Sequence, residues 1–189
     1  AMRQTHEVPI MLSVTVADKG GRMLSGQTLS AFLASVSHAP LFSVGLNCSF
    51  GAADMKPFLK ELAATAPYYI SAYPNAGLPN ALGQYDQTPE QMAEEVKQFV
   101  DEGLVNIIGG CCGTTDAFIA EYAALVKRNG CYVQPRKPVR IEPAMRLSGL
   151  ECLEINNESG FTCVGERCNV AGSRKFLRLI KEKKYDEAI

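Results

Sequence analysis

The sequence predicts an α/β fold built on a parallel sheet. Three observations carry this. Four short apolar runs, Pro9 to Val16, Leu41 to Leu46, Tyr68 to Ala72 and Val105 to Ile108, recur at intervals of roughly 25 to 40 residues, the size of a strand plus a crossover helix. Helical patterns fill the gaps between them. The residues best suited to chemistry follow the ends of the runs, where functional groups collect in parallel sheets, whether open or closed into a barrel.

The first run, PIMLSVTV, reads as a buried strand, and a polar loop with Asp18, Ser25 and Gln27 follows it. Thr28 to Val36 predicts a helix. The second strand ends at Asn47-Cys48. Met55, Phe58, Leu59 and Leu62 then share one face at helical spacing. The third strand runs into Tyr73-Pro74-Asn75-Ala76-Gly77. Thr88 as N-cap, Pro89 at the first helical position and Gln91 completing a capping box announce the next helix, with Met92, Val96, Phe99 and Val100 inward and Gly103 at its end. The fourth strand leads into Gly109 to Thr115. Phe118, Tyr122, Leu125 and Val126 mark a further helix, stopped by Asn129-Gly130.

After Cys131 the periodicity breaks. Gln134-Pro135-Arg136-Lys137-Pro138 and Pro143 predict an extended linker. Strand-like pieces resume at Leu153 to Ile155 and Phe161 to Val164. Ser173 is placed to cap a last helix, with Phe176, Leu177 and Ile180 inward and Lys181 to Lys184 outward. Four strands are half of an eight-stranded barrel. The expected organisation is therefore the C-terminal half of a (β/α)8 barrel at 1–132, a linker at 133–152 and the first βα unit of a second barrel at 153–189.

The bulk numbers exclude several function classes. With 19 Lys and Arg against 20 Asp and Glu, the net charge of −1 gives no electrostatic case for nucleic acid or a membrane surface. No apolar run is long enough to span a bilayer, and the N-terminus does not read as a secretory signal. Seven cysteines, an odd number without framework spacing, suggest a reducing, cytoplasmic setting and a metal or catalytic use.

Two of them are adjacent: Gly109-Gly110-Cys111-Cys112-Gly113. A regular strand would send the two sulfurs to opposite faces. The flanking glycines let the backbone turn so that both approach one point, and a soft metal, zinc first, is the better reason to gather them there. Cys48 follows the second strand on the same rim. Three cysteines are the protein share of a catalytic zinc site, whose fourth position stays exchangeable. A closed structural site would need another Cys or His, and neither His6 nor His38 falls at a strand end. Cys131, Cys152, Cys163 and Cys168 read as packing residues.

Gly45-Leu46-Asn47-Cys48, Tyr73 to Asn80 and Gly109 to Thr115, followed by Arg146 to Glu151 and by Gly165-Glu166-Arg167-Cys168-Asn169 with Val170 to Ser173, together resemble the cobalamin-dependent methionine synthases. The Asn-Cys and Gly-Gly-Cys-Cys-Gly pair is shared by other homocysteine methyltransferases, betaine-dependent ones included. The Gly-Glu-Arg-x-Asn segment is similar to the opening of a folate-binding barrel. The resemblance implies two TIM barrels, with zinc on Cys48, Cys111 and Cys112 holding homocysteine. It implies methylcobalamin as immediate methyl donor, presented by a cobalamin domain of the full-length protein, and 5-methyltetrahydrofolate as ultimate donor. It also implies Asn75 as a displaceable fourth ligand, although Asn75 can equally organise its own turn. Asn169 and Glu166 would lie on the folate side, and Asp18 on the homocysteine side if it is more than an ordinary loop residue. This chain alone is expected to be inactive. The alternatives are a homocysteine methyltransferase using another donor, or a non-catalytic zinc-binding module.

Overall fold

Strand and helix alternate as the apolar periodicity requires. The computed structural model describes residues 8–128, 131–132, 134–163, 165 and 169–188. The four apolar runs form β1 (Met11–Val14), β2 (Ser43–Asn47), β3 (Tyr69–Tyr73) and β4 (Ile107–Ile108). They pair in sequence order β1-β2-β3-β4, every pair parallel. The register sets Val14, Leu46, Ala72 and Ile108 side by side, and one residue earlier Ser13, Gly45, Ser71 and Ile107. Successive residues point to opposite faces. The first row joins the hydrophobic core with Val44 and Ile70. The second row belongs to a face of mostly small and polar residues. The sheet is therefore apolar toward its helices and polar on the other side.

The helices are α1 (Leu29–Val36), α2 (Ala52–Thr65), α3 (Pro89–Asp101) and α4 (Asp116–Val126). Thr28 caps α1 by accepting from the Ala31 N–H. In α2, Pro57 lies inside the helix, a defect worth about 3 kcal/mol. Met55, Leu59 and Leu62 are buried on its inner face, and at about 1.5–3 kcal/mol each their burial outweighs the defect. The capping box of α3 is present in full: Thr88 Oγ1 accepts from Gln91 N–H at 3.3 Å, and Gln91 Oε1 accepts from Thr88 N–H at 3.0 Å. Its inner residues Met92, Val96, Phe99 and Val100 are all buried.

Beyond α4 the chain departs from expectation. The helix ends at Val126, ahead of the predicted stop at Asn129-Gly130, two residues outside the described ones. A short antiparallel pair follows, β5 (Lys127–Arg128) with β6 (Cys131–Tyr132). Residues 134–144 are irregular, as predicted, yet they are strapped to the sheet's helices. Arg136 donates to the carbonyls of Tyr68, Ala63 and Ala66, each at 2.9 Å. Asn106 donates to the Arg136 carbonyl at 2.7 Å and accepts from Ile70 N–H at 3.0 Å. Next come β7 (Met145–Ser148) and β8 (Cys152–Ile155), which pair with each other. Ser148 Oγ donates to the Ala31 carbonyl at 2.7 Å, and Arg22 pairs with Glu151.

The chain divides into two units, Ala1–Glu154 and Ile155–Ile189. In the second, Ser173 Oγ caps α5 (Arg174–Lys181) by accepting from Phe176 N–H at 3.2 Å, and α6 (Tyr185–Ala188) follows. Leu179 is the buried residue of α5, with Phe176, Leu177 and Ile180 half-buried. Phe161 to Cys163, predicted as strand, is irregular and Val164 lies outside the described residues. Among the described residues no helix is long and apolar enough to cross a membrane.

Candidate metal centre

Three strand ends build the site. Ser13 Oγ donates to Asn47 Oδ1 at 2.7 Å, and Asn47 Nδ2 donates to Thr15 Oγ1 at 3.2 Å, tying the end of β2 to β1. Cys48 and Ser49 then take left-handed backbone angles, φ +57° and +61°. Non-glycine residues there cost about 1–3 kcal/mol each and persist only where the surroundings over-determine them. They do so here. Cys48 N–H donates to the Tyr73 carbonyl at 3.1 Å, and Phe50 N–H closes the turn on the Cys48 carbonyl at 2.7 Å. Phe50 is buried and stacks on Phe58 with ring centroids 5.7 Å apart.

The exit of β3 receives the exit of β4. Cys111 N–H donates to the Pro74 carbonyl, and Ala76 N–H to the Cys112 carbonyl, both at 2.9 Å. The buried Asn75 accepts from Cys112 N–H through Oδ1 at 3.1 Å. Thr114 turns the loop back, its Oγ1 donating to the Cys111 carbonyl at 2.7 Å. Gly113 has φ +79°, and a Cβ there would lie 2.5 Å from Tyr85 Cβ and 3.0 Å from Tyr85 Cδ2. Only glycine meets both demands.

This lacing brings three sulfurs together. Cys48 Sγ lies 3.7 Å from Cys112 Sγ, and Cys111 Sγ lies 3.9 Å from Cys112 Sγ. All three fall within 4.8 Å of one another, a group that can hold a metal ion. A disulfide would bring two of them to about 2.05 Å. Sulfurs tetrahedrally placed about 2.3 Å from a zinc ion stand about 3.8 Å apart. The donor set therefore fits zinc in type and in the two measured spacings.

The thiols do not titrate alike. The Cys111 thiol beside Cys48 holds the Cys48 thiol below its ordinary value, against the opposing effect of burial. Burial, and then the hydrogen bond with Cys48, push Cys111 up to about 12. The Tyr85 phenol is raised, first by its hydrogen bond with Cys112 and also by the charge of the cysteines around it. Unaided, the cluster accommodates negative charge first at Cys48.

Other residues singled out in the sequence lie in different settings. Asp18 Oδ1 accepts from Gly20 N–H at 2.8 Å and Arg22 N–H at 3.4 Å, holding its own turn. Gln27 donates to Ser148 Oγ at 3.0 Å and accepts from Ser25 Oγ at 3.1 Å. Asn169 Oδ1 accepts from Ala171 N–H at 2.8 Å in the second unit. Glu166, Arg167, Cys168 and His6 lie outside the described residues. Cys152 is half-buried, whereas Cys163 is exposed. Cys163 is therefore no packing residue, because the strand expected to bury it does not form. Tyr85, Thr114 and Phe50 were missed, since none sits in a periodic pattern. Only the glycine at 113, opposite Tyr85, hints at a bulky neighbour.

Residues 1–126 match the homocysteine S-methyltransferase family. The chain belongs to this family. Membership makes it a methyltransferase by lineage, with homocysteine as the methyl acceptor. The matched span ends with α4 and contains all three clustered cysteines. The strap and the second unit lie beyond it.

Proposed function

We propose that this chain carries the homocysteine centre of a cobalamin-dependent methionine synthase, with zinc held by Cys48, Cys111 and Cys112. The observation that supports this most is the sulfur spacing, 3.7 and 3.9 Å, at the joined ends of β2 and β4. Zinc bound there would lower the pKa of a thiol entering the fourth position and keep its sulfur nucleophilic. The chain's own residues do the rest. Asn75 fixes the Cys112 backbone and stands next to the cluster, so its amide oxygen is the group to vacate the fourth position for homocysteine. The turns at Cys48-Ser49 and Cys111 to Thr114 hold the ligands before any metal arrives, which limits the ordering cost of binding.

Methylcobalamin is the immediate donor in this reading and 5-methyltetrahydrofolate the ultimate one. The sequence Gly165-Glu166-Arg167-Cys168-Asn169 favours these over betaine, and it makes Asn169 and Glu166 the pterin-side candidates. Residues 1–132 are then the C-terminal half of a TIM barrel, 133–152 the connection and 153–189 the opening of a folate barrel. The in-order parallel pairing of β1 to β4 supports the barrel. Free thiols at the centre suit a reducing compartment such as the cytoplasm. Asp18 keeps its place as a homocysteine-side candidate only if its turn opens.

Zinc analysis of the reduced chain tests the proposal. About one zinc per chain is expected, lost in Cys111→Ala and Cys112→Ala and kept in Cys163→Ala. A wild-type chain without zinc overturns the reading. Homocysteine added to a cobalt-substituted chain should alter the thiolate-to-cobalt absorption. An unchanged spectrum would argue against an open fourth position.

A further inference from the structure

The loop between β3 and α3 is built to deliver one side chain to the cysteines. Asn80 organises it. Asn80 Oδ1 accepts from Leu82 N–H at 2.9 Å and from Gln84 N–H at 3.0 Å, while Asn80 N–H donates to the Gln84 carbonyl at 2.8 Å. Asn80 Nδ2 donates to both carboxylate oxygens of Asp86, at 3.2 and 2.9 Å. The residues on either side of Tyr85 are thus tied to one asparagine. Below them, Gln87 packs on Gly77 and Thr88 caps α3. Tyr85 itself is half-buried, with the base of its ring on Gly113. Consecutive Cα atoms are about 3.8 Å apart, so a ring seated on Gly113 reaches the neighbouring Cys112, and the phenol hydrogen-bonds with that side chain.

We infer that Tyr85 is a positioning residue of the thiol centre, its hydroxyl donating to Cys112 Sγ and fixing both the direction and the donor strength of that ligand. The inference rests on the three-thiol metal reading above. A hydroxyl donated to a thiolate withdraws charge from the sulfur and restrains its rotation. Partners of this kind tune a metal site without touching the metal. Cys112 is the ligand that most needs one, because it is exposed whereas Cys48 and Cys111 are half-buried. The absence of a side chain at Gly113 is what lets the ring sit there.

Tyr85→Phe tests this in the full chain, because it removes the hydroxyl and keeps the ring. The zinc dissociation constant should rise about tenfold or more, and the thiolate-to-cobalt charge-transfer band should move to lower energy. The thermal midpoint of the metal-free protein should stay put. Tyr68→Phe, a half-buried tyrosine removed from the sulfurs, should change neither the band nor the zinc constant. A Tyr85→Phe protein with wild-type band and zinc affinity overturns the inference and leaves the three-thiol reading standing. A wild-type chain that takes up neither zinc nor cobalt overturns both.

Discussion

Replacing Gly113 by alanine separates two costs that usually arrive together. One is backbone strain. At φ +79° an L-residue pays about 1–2 kcal/mol. The other is collision. The new Cβ would stand 2.5 Å from Tyr85 Cβ, where carbon atoms prefer about 3.5–4.0 Å. Tyr85 would have to retreat by about 1 Å, in a loop pinned on both sides by Asn80. Overpacking of this kind costs about 1–3 kcal/mol. Gly103 supplies the control: it has φ +63° and nothing within 4 Å of its Cβ position. Gly103→Ala should therefore lose about 1–2 kcal/mol, and Gly113→Ala about 2–5 kcal/mol. Urea denaturation of the metal-free proteins measures both, with unchanged m-values as the sign that the denatured state is the same. Gly113→Ala should also weaken zinc, since the ring it displaces carries the Cys112 partner. If the two alanine variants lose the same stability within about 0.5 kcal/mol, the ring does not press on Gly113 and the placement of Tyr85 is wrong.

Arg136→Ala should destabilise the protein by about 2–4 kcal/mol in urea, because three carbonyls lose a charged donor and the segment holding it comes free. Arg136→Lys should recover less than half of that, as an ammonium cannot span three acceptors held by a planar fork. A loss below about 0.5 kcal/mol would mean the strap is not docked in solution. Thr88→Ala removes one side of the capping box and should cost about 1 kcal/mol, with Thr88→Ser close to wild type. Thiol chemistry provides a pH-dependent check. A lowered thiol pKa populates the reactive thiolate at lower pH, and a raised one delays it. In the metal-stripped chain near pH 8, iodoacetamide should label Cys48 before Cys111, whose thiol is held at about 12. Peptide mapping that finds Cys111 labelled first would contradict the electrostatics of the cluster.

Much of this architecture was legible in the residues. The four apolar runs became four strands, shifted by one or two positions at their ends. The α3 start needed only Thr88, Pro89 and Gln91, because a capping box is a contact among residues three apart. Cys48, Cys111 and Cys112 could be put on one rim because the C-terminal ends of parallel strands all face the same way. What stayed hidden depends on partners far along the chain. Arg136 looks like one cation in a Pro-rich run, and its acceptors lie near residues 63 to 68. The run at Phe161 to Cys163 is apolar enough for a strand, yet among the described residues it has no strand to pair with.

The sequence by itself determined which segments are strands and helices, which residues face inward, and that three thiols share a rim. These are consequences of periodicity, capping and handedness, all of which act over a few residues. The tertiary structure decided distances. A spacing of 3.7 Å between sulfurs 64 residues apart depends on the parallel register of β2, β3 and β4. It depends also on left-handed angles at Cys48 and Ser49, which no local preference favours, and on the hydrogen bonds that hold Cys111 and Cys112 to the exit of β3. Tyr85 belongs to the same category. Nothing local marks it, because its role comes from the space that Gly113 leaves open.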